Sequence, residues 1–437
     1  MSPSPTAPHA DAPPLPGRRP PLVVRRFLAT ESAGGFVLLL AAVVGLVWAN
    51  SPWRAGYDAL WSTELAIGVG RWVLTQDLHH WVNDGLMALF FFVIGLEIKR
   101  EVVAGELRDP RTAAVPVMAA LGGMVVPAAL YLAVTSGGAG SHGWGIPMAT
   151  DIAFALGVVA VLGRRVPASL KLFLLTLAIV DDIGAIAVIA VFYTADLDVV
   201  ALSIAGAILI SIVLLRAARV TWAPAYVVAG IAVWLATQAS GVHATIAGVL
   251  LGLLVPVRPM APAAVARDWA ADLGDDPSAG QLATMGQLAR AAASPAERLE
   301  HRLHPWTSLC IVPLFALANA GVELSSAALD APGGTAVAAG VALGLLGGKT
   351  LGVLGATWLA VRTGLGRLPE GATWAHVGGI AAVAGIGFTV SLFVAELAFP
   401  SGSPLIDAAK LGVLGASAAA AVLGALVLVS VSRRSLR

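Results

Sequence analysis

The sequence predicts an all-α polytopic membrane protein with about 12 transmembrane helices. Three observations predict this fold class. Apolar residues make up 58% of the 437 residues and charged residues only 12%, the mean hydropathy is +0.84, and most basic residues lie between long apolar runs. A typical soluble domain carries about 25% charged residues, so this composition indicates a chain that is embedded in lipid.

Twelve segments are apolar enough to cross a bilayer as helices, which requires about 20 residues each. They lie at 32–50, 79–98, 113–134, 146–163, 170–192, 199–215, 223–238, 241–257, 305–323, 334–361, 374–397 and 405–430. Hydropathy alone does not fix this number, and the positions of the basic residues provide an independent test.

Lys and Arg are enriched in cytoplasmic loops, so they should be abundant in every second loop. Most of the 27 basic residues follow this alternation. They precede the first span and follow each even-numbered span, beginning with Arg18, Arg19, Arg25 and Arg26 and ending with Arg433, Arg434 and Arg437. The exceptions are Arg54, Arg71, Lys349 and Lys410. We therefore expect twelve spans with both termini in the cytoplasm.

The pattern predicts one membrane domain with two tails. Residues 1–28 are rich in Pro and Ala, and no apolar core with a cleavage site follows their basic residues, so they indicate a disordered cytoplasmic tail and not a signal peptide. Residues 29–432 form the transmembrane domain, with a long cytoplasmic loop at about 258–304, and 433–437 form a C-terminal tail. The external loop 51–76 is a candidate for short strands.

Charge and cysteine content exclude other classes. The net charge is +1 and the basic residues do not cluster, which argues against a nucleic-acid partner. Cys310 is the single cysteine, so neither an intramolecular disulfide nor a cysteine-based metal site can form.

Four ionisable residues are predicted to lie near the middle of the membrane: Asp151, Asp181, Asp182 and Lys349. A charge at the centre of a span costs at least roughly 2.5 to 3.5 kcal/mol, so these side chains should face a cavity or a partner. Asp182 lies 11 residues after Lys171, which is roughly 16 Å along a helix. Similar estimates place Asp151 and Lys349 at the middle of a core that is about 30 Å thick.

Backbone-breaking residues occur at the same depth. Pro147 precedes Asp151, and Gly385 and Gly387 interrupt the eleventh span. Such residues produce kinks or close helix packing, but breaks at this depth also expose helix ends to ions. Taken singly, each residue fits the first explanation, and their coincidence with the charges favours the second.

The aspartates have the chemistry of a cation and proton site. Neighbouring carboxylates that are both desolvated resist joint ionisation, so a hard cation can displace a proton. Their oxygen atoms suit sodium or lithium, and the lack of His and Cys beside Asp181 and Asp182 argues against zinc or copper. In the alternative interpretation, Lys349 merely neutralises one aspartate, and the two side chains form a structural ion pair.

These motifs resemble the NhaA-type bacterial sodium/proton antiporters. The similar segments are 81–87, 95–101, 143–157, 178–186, 241–245, 299–306, 348–349 and 385–391, and together they cover most of the chain from about 30 to 430. The resemblance implies two discontinuous helices that cross at the fourth and eleventh spans, inverted structural repeats, alternating access and a homodimer. It also implies a multi-pass protein of the bacterial inner membrane.

The resemblance implies a role for each motif residue. Asp182 looks like the principal sodium and proton carboxylate, with Asp181 beside it and Lys349 as its ion-pair partner, and Thr150 and Asp151 lie at the helix crossing. The residues that match the family's pH-sensing positions are Glu97, Arg100, Glu300, His304 and His243. The expected activity is electrogenic, pH-regulated exchange of internal sodium or lithium for external protons, without a cofactor.

The sequence departs from the family at two places. Glu297 occupies a position where the family commonly has a lysine, and the segment 258–293 is longer than usual. Both departures lie in the predicted cytoplasmic loop, so the pH threshold cannot be carried over from the family.

Two rival functions use similar residues. An intramembrane aspartyl protease also needs aspartates on two helices, but the Gly-x-Gly-Asp segment is absent and Lys349 would keep a carboxylate ionised. A cation channel is the second rival, although broken helices with titratable carboxylates suit coupled exchange better than a continuous pore.

Overall fold

The computed structural model describes residues 22–69, 72–194, 197–218, 220, 222–259, 262–272 and 277–435. Helices account for most of this part of the chain. In order they are α1 Leu22–Ala49, α2 Arg54–Trp61, α3 Leu78–His80, α4 Met87–Ala104, α5 Pro110–Thr135, α6 Ile152–Leu162, α7 Ala168–Phe192, α8 Val199–Ala217, α9 Ala223–Ala239, α10 Thr245–Leu254, α11 Ala263–Ala271, α12 Ala279–Ala292, α13 Pro295–Trp306, α14 Val312–Asn319, α15 Ala327–Asp330, α16 Gly334–Leu343, α17 Lys349–Arg362, α18 Trp374–Ala384, α19 Phe388–Ala398 and α20 Pro404–Ser435.

Short non-α segments join several of these helices. Three π-helical segments, Trp81–Leu86, Thr307–Ile311 and Gly344–Gly348, connect α3 to α4, α13 to α14 and α16 to α17. Three 3-10 segments lie at Glu106–Arg108, Ser141–Met148 and Gly163–Arg165. Because π-helical turns are rare and occur frequently at functional sites, the turn directly before Lys349 draws attention to that residue.

The structure confirms a helical membrane protein. Each predicted span overlaps one helix or a run of joined helices in the described residues, and the number of twelve membrane crossings stays a prediction. Six helical segments there are long and apolar enough to cross a membrane, or eight if each of two bent pairs forms one span, and α9 and α10 are shorter apolar helices. The second half of α4 contains Glu97, Lys99, Arg100 and Glu101, so this helix carries more charge than a simple apolar span.

The ends and the long connection differ from the predictions. The helix α1 begins at Leu22, inside the predicted tail 1–28, of which residues 1–21 lie outside the described residues. The helix α20 continues to Ser435, so helix replaces the start of the predicted tail 433–437. The predicted loop 258–304 contains α11, α12 and most of α13. Ser278 and Ser294 cap the starts of α12 and α13.

A hairpin confirms the expected strands outside the helices. Strand β1 Glu64–Val69 pairs antiparallel with β2 Trp72–Asp77, in the register Glu64 to Asp77 and Val69 to Trp72. The hairpin lies between α2 and α3.

Close glycine contacts hold the helices that carry the intramembrane charges. The helix α5 packs against α7, α16 and α17. At the crossing of α5 and α17, a Cβ atom on Gly352 would collide with the carbonyl oxygen of Gly122, and a Cβ atom on Gly122 would collide with that of Gly352. Small residues allow helix backbones to approach closely in membranes, so this contact fixes α17, and with it Lys349, against α5.

We expect Gly352→Ala to destabilise the protein. The new methyl group has no space against the α5 backbone, and overpacking of this kind costs typically about 1 to 3 kcal/mol. The measurement is the thermal unfolding temperature of the purified protein in detergent. Gly355→Ala is the matched control, because a Cβ atom on Gly355 of the same helix meets nothing within 4 Å. Equal unfolding temperatures for the two variants would contradict the packing argument.

Candidate functional site

The fourth predicted span is broken immediately before Asp151. The 3-10 segment Ser141–Met148 ends at Ala149, whose φ and ψ of −85° and 153° are those of extended backbone. Asp151 is also extended, at −78° and 102°, and α6 begins at the next residue. Pro147 lies in the 3-10 segment two residues before Ala149, and its missing N–H disfavours a regular α-helix there.

The eleventh predicted span is broken between α18 and α19, which meet at an angle of 45°. Gly385 and Gly387 form the break, and their φ values of −68° and −91° are open to any residue. The glycines are required by space and not by backbone angles. A Cβ atom on Gly385 would collide with the carbonyl oxygen of Leu345, and one on Gly387 would collide with Ser391.

The two breaks lie against each other. The backbone N–H of Asp151 in the first break donates a hydrogen bond of 2.7 Å to the carbonyl oxygen of Ile386 in the second. Non-helical backbone at membrane depth needs such internal partners because lipid offers none.

One carboxylate caps two helices at this junction. Asp151 Oδ1 accepts a hydrogen bond of 3.0 Å from the Phe154 N–H at the start of α6. Its Oδ2 accepts from the N–H and the hydroxyl of Thr389 at the start of α19, at 3.0 and 2.6 Å. Helix N-termini carry partial positive charge, so the Asp151 charge compensates both ends at once.

Hydroxyl groups and Lys349 form hydrogen bonds with the remaining ends of the broken helices. Ser391 Oγ donates to the Ile146 carbonyl at 2.7 Å, and Thr150 Oγ1 lies 2.9 Å from the Ala384 carbonyl at the end of α18. Ser417 of α20 accepts from the Phe388 N–H at 3.2 Å. Lys349 Nζ donates to the carbonyl oxygen of Met148, and a positive charge is favourable at this negative end of the half-helix.

Asp181 is the ion-pair partner of Lys349. Its Oδ2 lies 2.5 Å from Lys349 Nζ, and both side chains are fully buried. The same oxygen lies 2.7 Å from the Thr150 hydroxyl. The expectation that Lys349 pairs with Asp182 is therefore wrong for this structure, because consecutive residues of a helix point about 100° apart and Asp181 is the one that faces α17.

Asp182 faces a different environment. It is 3% exposed, and its Oδ1 is buried without a hydrogen-bond partner. It lines a cavity of about 70 Å³ together with Glu97, Thr150, Asp151, His304 and Thr389. This cavity is several times larger than the roughly 10 to 15 Å³ that one water molecule needs, so it has room for water or a small cation beside Asp182.

Four of the five predicted pH-sensing residues lie at or near this cavity. Arg100 donates to Glu300 Oε1 at 2.5 Å and so joins α4 to α13, while Glu97 and His304 line the cavity. Burial raises the pKa of Glu300 above its usual value, although the nearby Arg100 opposes the shift. His243 lies elsewhere, with its Nε2 at 2.7 Å from the Tyr193 carbonyl beyond the end of α7.

Sequence reasoning missed three side chains of the junction: Thr389, Ser391 and Ser417. The first two lie just after Gly387, and their position at the start of a half-helix is a signal that could have identified them. Ser417 lies within the continuous helix α20, and no local pattern marks it.

Two broken helices that meet beside a cavity lined by Asp151 and Asp182, with the buried Asp181–Lys349 pair next to it, have the architecture of a secondary ion transporter. A family model described as Na+/H+ antiporter 1 matches residues 25–428. The chain therefore belongs to the Na+/H+ antiporter 1 family, which confirms the resemblance noted from its motifs. The family is one of transporters and not of enzymes, so the intramembrane protease is no longer an alternative.

Relatives from several bacteria are similar over almost the whole chain. The chain is 48% identical to Na(+)/H(+) antiporter NhaA 3 of Frankia alni, over 97% of this chain and 92% of the relative. It is 47% identical to Na(+)/H(+) antiporter NhaA 2 of Sorangium cellulosum, over 95% of this chain and 90% of the relative. Identity to Na(+)/H(+) antiporter NhaA of Rhodospirillum rubrum is also 47%, over 94% of this chain and 97% of the relative.

We expect Lys349→Ala to lower stability strongly, since it leaves the Asp181 charge buried without its partner. Breaking a buried ion pair in this way costs roughly 3 to 5 kcal/mol, whereas replacing both partners costs far less. The double variant Lys349→Met with Asp181→Asn should therefore recover most of the loss. Thermal unfolding in detergent measures both effects. A double variant no more stable than Lys349→Ala would argue against the pairing.

Proposed function

We propose that the chain exchanges sodium or lithium ions from the cytoplasm for external protons. One observation carries this proposal. The Asp182 carboxylate lines a cavity inside the membrane, whereas Asp181 is not among the lining residues and its Oδ2 contacts Lys349 and Thr150. Each of the two aspartates also has a buried Oδ1 without a hydrogen-bond partner. A carboxylate in this position can hold either a proton or a hard cation, and the competition between them couples the two fluxes.

The surrounding residues have distinct proposed roles. Asp182 is the principal ligand of the transported cation and proton, and Thr150 and Asp151 offer further oxygen atoms at the same cavity. Lys349 and Asp181 hold the site in place as a neutral pair. We also propose that exchange is electrogenic, with more protons entering than sodium ions leaving, as the resemblance to the family implies.

The proposed topology follows the alternation of the basic residues. It has twelve spans in the bacterial inner membrane, cytoplasmic termini and a single transmembrane domain at 29–432. The discontinuous helices are the fourth and eleventh spans, and the hydrogen bond between Asp151 and Ile386 supports their crossing. Inverted repeats that move against each other would give alternating access, and a homodimer is the proposed assembly. The transported ions are the proposed small-molecule partners, without a cofactor.

Asp182→Asn should abolish sodium-driven proton movement, because an amide neither carries the proton nor binds a cation as strongly as a carboxylate. Proteoliposomes with an internal pH-sensitive dye measure this when sodium, lithium or potassium is added in turn. Asp268→Asn is the control, since Asp268 is exposed on α11. Full activity in Asp182→Asn would reject the assignment of Asp182, provided that both variants elute as folded protein.

Glu300→Gln should change the pH profile of transport, with a lower rate than the unmodified protein at alkaline pH. The ion pair with Arg100 needs the Glu300 carboxylate, which forms as the pH rises through the raised pKa of this residue. Glutamine cannot ionise, so the variant resembles the protonated state at every pH. Transport rates between pH 6 and pH 9, roughly the range that includes histidine and buried carboxylates, measure the change.

Glu106→Gln is the matched control for this pH experiment. Glu106 is exposed in the 3-10 segment that follows α4, so its change should leave the profile unaltered. Identical profiles for Glu300→Gln and the unmodified protein would contradict a role of the Arg100–Glu300 pair in pH regulation.

A further inference from the structure

The half-helix α18 begins with a hydrogen-bonded cap that contains a histidine. Thr373 is the N-cap residue, and its Oγ1 accepts from the His376 N–H at 3.4 Å. In return, the Thr373 N–H donates to His376 Nδ1 at 3.2 Å. This reciprocal pair is a capping box, in which glutamate or glutamine usually occupies the third helical position.

Because His376 is part of this cap, the cap depends on the protonation state of the imidazole. A neutral imidazole accepts a hydrogen bond at Nδ1 only if its proton resides on Nε2, and an imidazolium accepts none. The Thr373 hydroxyl, 3.0 Å from Nδ1, can turn and become an acceptor. The Thr373 backbone N–H cannot change its role, so protonation at Nδ1 removes its partner and places two donors against each other.

Charge acts in the same direction as the lost hydrogen bond. A positive imidazolium in the first turn of a helix is disfavoured by the partial positive charge of the helix N-terminus. Glutamine at this position would keep the cap without any change of charge, since its side-chain oxygen is always an acceptor.

Among the described residues, Thr373 is the polar partner of His376. The helices that pack against α18 are α6, α7, α17 and α20. Their charged residues towards this end are Lys171, Arg362, Arg433 and Arg434. Lys171 Nζ donates to the Gly163 carbonyl at 3.2 Å, and the Arg362 guanidinium stacks on Trp358 at 5.3 Å. Among the described side chains, none forms an ion pair with His376.

The cap lies at the exposed start of α18, and the helix leads from it to the candidate ion site. Thr373, Trp374 and Ala375 are exposed, and His376 is 6% exposed beside them. At its other end, α18 presents the Ala384 carbonyl to Thr150 Oγ1. A change in the first turn of α18 therefore acts on the same element that closes the helix break.

We propose that the Thr373–His376 capping box is a pH-sensitive cap, which holds the first turn of α18 while His376 is neutral and releases it when His376 is protonated. This cap is separate from the Arg100–Glu300 pair on α4 and α13, and it does not depend on the identity of the transported ion.

Hydrogen exchange of the full-length protein in detergent, followed by mass spectrometry, tests the proposal on a peptide that contains Thr373 and Val377. Exchange is measured from about pH 5 to pH 8, the range in which histidine titrates, and corrected for intrinsic rates. We expect protection to fall by a factor of about five at the acid end, which corresponds to the roughly 1 kcal/mol that an N-cap contributes. Transport is measured in parallel.

Two variants make the result decisive. His376→Gln should keep the protection constant over this range and extend transport activity to lower pH, because its cap does not titrate. His376→Ala should show the low protection of the acid state at every pH. The proposal is overturned if the unmodified protein and His376→Gln lose protection equally at acid pH. Hydrogen exchange of a control peptide from α5 shows whether any loss of protection is global.

Discussion

Backbone polar groups cannot remain unpaired in lipid, and this constraint determines the candidate site. Two helices are broken at membrane depth, so their ends need acceptors and donors from the protein. Asp151 and Ser417 accept from the N-terminal N–H groups of the half-helices, while Ser391 and Lys349 donate to the carbonyl groups of the first half-helix. Side chains with proposed roles in transport are therefore already fixed by structural hydrogen bonds. Any movement of the half-helices must exchange these bonds for others, which restricts the number of stable arrangements.

The adjacent aspartates illustrate how position alone separates two chemically identical groups. Asp181 is 0% exposed and contacts Lys349 and Thr150, and Asp182 is 3% exposed at the cavity. A buried ion pair is costly to form but more costly to break, so Asp181 is held in one arrangement. Among the described residues no ion pair joins Asp182 to an ammonium group, so under the proposed function a proton or a cation compensates its charge. The proposed function needs this asymmetry, since two identical sites would bind ions without a defined order.

Local sequence patterns predicted the helices and the intramembrane charges, but they did not predict which charges meet. The depth of Asp151, Asp182 and Lys349 followed from the rise of a helix and the positions of basic loops. The pairing of Lys349 with Asp181 depends on how α7 and α17 rotate against α5, and a single sequence carries no such information. Ser417 was missed for a similar reason, because it serves a helix break that is distant in the chain. The helices in the predicted loop 258–304 were missed although Ser278 and Gln281 carry a local capping signal.

Under the proposed function, the cavity at Asp182 would connect ion binding with two kinds of electrostatic control. Glu97 and His304 line the same space as Asp182, so a change in their charge acts on a bound ion directly, across a few ångströms of poorly screened interior. Arg100 and Glu300 act by another route, because their hydrogen bond joins α4 to α13. The helix α13 continues through the π-helical segment Thr307–Ile311 into α14, and Thr307 and Ser308 of that segment also line the cavity. Loss of the Arg100–Glu300 bond would therefore alter the shape of the cavity, whereas protonation of His304 would alter its potential.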